Sequence, residues 1–71
     1  MNYVLVKLEN EVKVFPYKGS EIDQVYDLLE NLNINICGIF GREEYAQAWK
    51  NFYNNNIDVK ELNKLLDSVK E

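Results

Sequence analysis

Few side chains in this 71-residue chain could do chemistry. Histidine and threonine are absent, the only serines are Ser20 and Ser68, and Cys37 is the single cysteine. A nucleophilic triad needs a base, usually an imidazole, and none exists. Cys37 sits in the apolar run Ile34–Phe40 without an electropositive neighbour, so it reads as a small core side chain rather than a reactive thiol. One cysteine and no histidine exclude the common zinc sites, and no D-x-D-x-D-G loop offers calcium ligands. The expectation is therefore no catalytic residue, no metal and no cofactor: a protein that is not an enzyme.

Gly38-Ile39-Phe40-Gly41 lies just before a helix start, where anions can bind. It lacks the glycine spacing of a dinucleotide turn and the lysine of a phosphate loop. Glu43 and Glu44 would repel a phosphate there, although Arg42 would attract one. The stretch is better read as a strand-to-helix corner.

Two other groups of residues point to binding. Between Gly19 and Gly41 stand four acids, Glu21, Asp23, Asp27 and Glu30, and no base. The rest of the chain balances its acids against its eight bases, so this segment carries the whole net charge of −4. Asp23, Asp27 and Glu30 at helical spacing form a ridge suited to a basic protein surface, or to imitating DNA phosphates toward a nucleic-acid-binding protein. Tyr26 on the same helix and Tyr53 among the aromatics of the next helix are the exposed anchors expected to join it in partner binding. The alternative set is Lys7, Lys13 and Arg42 reading an anion, with Tyr17 and Trp49 lining an aromatic pocket between two protomers.

The elements that must position these residues follow from periodicity. Tyr3–Leu8 and Val12–Tyr17 are rich in β-branched and aromatic residues and read as strands. A three-residue loop, Glu9-Asn10-Glu11, pairs Leu8 with Val12, Val6 with Val14 and Tyr3 with Tyr17. Asn10 or Glu11 then takes the left-handed position. That register gathers Val4, Val6, Leu8, Val12 and Val14 on one face. The other carries Tyr3, Leu5, Phe15 and Tyr17, with Lys7 opposite Lys13. Pro16 belongs near a strand end or on an edge.

Ser20 is the expected N-cap of a helix over Glu21–Leu32, with Asp23 completing a weak capping box. Ile22, Val25, Tyr26, Leu28, Leu29 and Leu32 form its apolar stripe, and Asn31 or Asn33 stops it. Ile34–Phe40 is a third strand, apolar on both faces, with Ile34, Ile36 and Phe40 on one and Cys37 and Ile39 on the other. Gly38 marks a bulge or a close helix contact. A second helix over Glu43–Tyr53 buries Tyr45, Ala48, Trp49 and Phe52, with Ala46 and Tyr53 at its flank, and is broken by Asn54, Asn55 and Asn56. Asp58 caps a third helix running to Val69, with Glu61 completing its box and Leu62, Leu65, Leu66 and Val69 inward.

The fold class is thus α+β: one small domain over residues 1–71 in the order β-β-α-β-α-α. Its three-stranded mixed sheet has order 2-1-3, with the outer strands running the same way. A hydrophobic content of 46% with 28% charged residues suits a folded chain. The acidity argues against direct nucleic-acid binding. No apolar run approaches the roughly 18 residues of a bilayer span and no signal core opens the chain, so a cytoplasmic, non-membrane protein is expected. A core this small allows homo-oligomerisation. The vocabulary of Asn, Lys, Ile, Tyr and Glu suits an AT-rich genome. The leading functional expectation is a small acidic interaction protein, of phage or mobile-element (viral) type, acting as an inhibitor or adaptor on a host protein. The alternative is a homodimeric binder of a small anion or nucleotide.

Overall fold

The computed structural model describes residues 1–69. Its elements are β1 (Asn2–Lys7), β2 (Val12–Tyr17), a 3-10 turn (Gly19–Glu21), α1 (Ile22–Asn31), β3 (Asn35–Phe40), α2 (Glu43–Tyr53) and α3 (Val59–Val69). The element order and the sheet order β2-β1-β3 are those expected. Both ladders are antiparallel. The sheet is therefore antiparallel throughout and not mixed: β2 and β3 run the same way on either side of β1, as expected, but they do not pair with each other.

The hairpin register differs from expectation by one residue. Lys7 pairs with Val12, Val6 with Lys13 and Val4 with Phe15. The Leu8 N–H donates to the Glu11 carbonyl at 2.8 Å, closing a tighter turn around Glu9 and Asn10. Neither Asn10 nor Glu11 is left-handed, since among the described residues Asn33 and Asn55 are the only non-glycine ones with positive φ. The difference has a physical reason. Register is fixed by pattern when one face is buried and the other wet. Here helices cover both faces, so apolar residues on either face satisfy the sheet.

The even-numbered face of β1 meets α1. Val4 and Val6 pack with Tyr17 and Leu29, and Ile22, Val25, Ile34 and Ile36 surround them. The odd-numbered face holds Leu5, fully buried, and meets α2. α3 packs on α2, with Leu62 as its buried anchor. The molecule is thus a single-file stack of α1, sheet, α2 and α3. Its Cα atoms fit within 35 × 28 × 11 Å. The short dimension is close to the width of three strands at roughly 4.8 Å spacing.

Several local expectations are corrected. Ser20 does not cap α1: it lies in the 3-10 turn, and the Glu21 carboxylate accepts from the Lys18 N–H at 3.1 Å instead. β3 carries a bulge at Cys37, because the β1–β3 register shifts between Leu5 and Val6. Ile36 and Ile39 therefore share the α1 face, opposite Val6 and Val4, while Gly38 and Phe40 face the other way. A Cβ on Gly38 would lie 3.0 Å from the Phe40 ring, so the glycine makes room for that aromatic. In α2 the most buried residues are Ala46 and Ala48, not the aromatics. Trp49, Phe52 and Tyr53 form a ring cluster with centroids 5.8 to 5.9 Å apart.

The helix ends follow sequence chemistry closely. After α1, Asn33 takes φ 57°. Its N–H donates to the Glu30 carbonyl and that of Ile34 to the Leu29 carbonyl, at 3.0 and 2.9 Å. This is a Schellman closure with asparagine in the left-handed site. Asn55, at φ 62°, repeats it after α2, with Asn56 donating to Asn51 at 2.8 Å. Asp58 caps α3 as expected, its carboxylate accepting the Glu61 N–H at 2.9 Å. Replacing Asn33 with Ala should lower stability by about 1 kcal/mol, because a Cβ penalises this region, while Gly should be neutral or slightly stabilising. Thermal melting of the two variants checks the order.

Candidate functional site

α1 covers a sheet only three strands wide, and its two flanks overhang different edges. Toward β3, Tyr26, Glu30, Asn33, Asn35 and Ile36 border an open groove of about 330 Å³. Asp23 and Asp27 lie on the same flank as Glu30, being spaced i, i+4 and i, i+3 along the helix. All three carboxylates are exposed, and Tyr26 is 45% exposed. No lysine or arginine among the described residues forms an ion pair with them; the two such pairs are Lys13–Glu11 at 3.6 Å and Arg42–Glu44 at 3.9 Å.

The placement of these acids does little for the helix itself. Asp23 in the first turn complements the dipole, but Glu30 in the last turn opposes it. Like charges at these spacings also repel. The flank therefore carries a small local cost that folding does not require.

Toward β2, a different surface opens. Val4, Val6 and Leu8 floor a cleft of about 280 Å³ between α1 and β2, with Leu28 and Leu32 on one wall and Phe15 on the other. Leu28 is 59% exposed, Leu32 58% and Phe15 47%. Sequence reasoning missed this cleft. It assigned Leu28 and Leu32 to the core because they continue the stripe of Val25 and Leu29. An apolar arc wider than the sheet beneath it was the available signal.

The other expected residues are dispersed. Tyr53, though exposed, sits on α2 beyond the opposite face of the sheet and does not join the α1 flank. Lys7 and Lys13 do not face each other, because the register shift places them on opposite faces. Lys13 is paired with Glu11. Tyr17 is buried in the α1-side core, while Trp49 packs on Phe52 and Tyr53 in α2. Arg42 donates through Nη1 to the Val69 carbonyl at 3.1 Å, tying the start of α2 to the end of α3. These five residues do not converge on one pocket.

One structural role was not anticipated. Asn54 was read only as a helix breaker, yet its side chain accepts from the Val12 N–H at 2.7 Å and donates to the Val12 carbonyl at 3.0 Å. The carboxamide thus acts as one rung of a fourth strand along the outer edge of β2. No helix among the described residues is long and apolar enough to cross a membrane. The chain matches no family model, no curated protein and no solved structure.

Proposed function

We propose that this chain is a small, acidic, non-enzymatic interaction protein that binds a protein partner through the carboxylate flank of α1. Asp23, Asp27 and Glu30 supply the charge and Tyr26 the anchor. The supporting observation is that three exposed carboxylates, in no ion pair with a described cation, share one flank of α1, where Glu30 borders a groove beside the exposed Tyr26. Such a surface complements a basic patch, speeds encounter and selects against acidic competitors. Tyrosine at its margin is a residue type that contributes large binding energies at interfaces. The partner is a protein with a basic surface, and binding acts by occlusion or by bridging, as an inhibitor or adaptor does. Size, acidity and vocabulary suit a cytoplasmic product of a phage or mobile element directed at a host factor.

The test compares wild type with the triple reversal Asp23→Lys, Asp27→Lys, Glu30→Lys, each immobilised and exposed to lysate of the source cell. Wild type should retain a basic protein that raised salt releases, because exposed charges are screened within about 10 Å at 0.1 M. The reversal should retain at least tenfold less while keeping its helical circular dichroism. Equal retention by both would contradict the proposal.

A further inference from the structure

The β2-side cleft calls for an occupant of its own. A monomer of 8.4 kDa is expected to expose about 4,600 Å², whereas this one exposes 5228 Å². The stack is only 11 Å across in its short dimension, a shape with more surface for its volume than a sphere.

We infer that a second copy of this chain packs on the broad side formed by the β2 edge and the adjoining flank of α1, each copy setting Leu28 and Leu32 against the other's cleft. Electrostatics favours this side. The exposed helix residues at its centre are Gln24, Leu28, Asn31 and Leu32, and the strand wall is Phe15, Pro16 and Tyr17, all uncharged; the charged neighbours are Lys13, on the same face of β2 and paired with Glu11, and Glu21 at the start of the helix. The α1 carboxylates lie on the opposite flank, so pairing here keeps them apart, while pairing through the β3 side would bring two acidic ridges together. An uncharged, apolar centre is also the signature of interfaces between identical subunits.

Strand addition is not the mode. Both backbone groups of Val12 are taken by Asn54, so they point away from β1. By the two-residue period of an antiparallel ladder, Val14 and Pro16 also face outward, and Pro16 has no N–H to offer. Val14 alone keeps a full outward pair, too little for a ladder. The cleft holds about 280 Å³, at the lower edge of the roughly 300–1,000 Å³ of ligand pockets, so a small apolar ligand is the competing occupant. Side chains of a second copy need no free strand edge. The inference is independent of the proposed partner surface. If both hold, the dimer presents two acidic flanks pointing outward.

Light scattering behind a sizing column, run from micromolar to roughly 1 mM protein, tests it. Wild type should move from 8.4 kDa toward twice that mass, and 1 M salt should not reverse the shift, because the centre of the seam is apolar and screening leaves apolar contacts intact. The variant Leu28→Glu, Leu32→Glu should remain at the monomer mass throughout. Both leucines are mostly exposed, so folding should survive; Phe15→Glu on the opposite wall gives a second, independent disruption. A wild type that stays monomeric at the highest concentration overturns the inference, as does a double variant that dimerises like wild type. Saturable binding of an apolar dye to monomeric wild type, lost in the double variant, would overturn it in favour of a small apolar ligand. Partner capture, which salt should weaken, stands or falls separately.

Discussion

Leu5→Ala is expected to remove roughly 2–5 kcal/mol of stability, the range for truncating a buried leucine. Leu5 is 0% exposed, lies on the central strand and pairs with Val14 on one side and Gly38 on the other. It faces α2, whose closest residues to the core are the small Ala46 and Ala48. A cavity there has few long side chains able to swing in and fill it. Chains of 71 residues have total stabilities of roughly 4–11 kcal/mol, so this one substitution removes a large share. Urea denaturation should show a lower midpoint with little change in slope. Leu28→Ala, by contrast, should move stability by no more than about 0.5 kcal/mol, as for other surface changes. Similar losses for the two variants would contradict the layering of α1, sheet and α2.

The second large effect belongs to Asn54. Asn54→Ala deletes both hydrogen bonds to Val12 and leaves a partly buried N–H and C=O at a strand edge. Losing the partners of such groups costs roughly 1–3 kcal/mol. The geometry admits no easy substitute. Aspartate keeps an acceptor for the Val12 N–H but turns a second oxygen on the Val12 carbonyl. Glutamine adds a methylene that displaces the amide from both groups. Amide hydrogen exchange gives a residue-level readout. The Val12 amide should be protected in wild type and exchange fast in Asn54→Ala, with thermal stability falling in parallel. Unchanged protection at Val12 would show that the clamp contributes nothing. Opening this edge also removes one of its two guards against strand addition, leaving Pro16 alone, so the variant should aggregate more readily on heating.

These two sites show what was readable from the sequence and what was not. Element order and helix bounds were legible because Pro16, Asn33, Asn55 and Asp58 act locally, through backbone conformation and capping. The face of Leu5 was not, because both sides of the hairpin are apolar and both are covered. A one-residue slip then costs no burial, and the choice passes to the turn hydrogen bond between Leu8 and Glu11. Asn54 illustrates a second limit. Its bond to Val12 spans 42 residues, and nothing local distinguishes a clamp from a helix stop in a run of three asparagines. The carboxylate flank was visible in composition alone, since no base interrupts it. The apolar cleft was hidden by the same periodicity that revealed the helix. Leu28 and Leu32 carry the signal of a core stripe, and only the narrowness of the sheet leaves them in water.

The claim that matters most is that a protein partner meets α1 on the side of Tyr26. Placing a photo-crosslinking residue at position 26, and separately at position 53 on α2, puts it to a direct test in source-cell lysate. Both side chains are about equally exposed, at 45% and 44%, but they lie on opposite sides of the sheet. A covalent adduct of one defined basic protein is expected from position 26 and none from position 53. An adduct from position 53 with none from position 26 would contradict it, and would move the partner surface to α2.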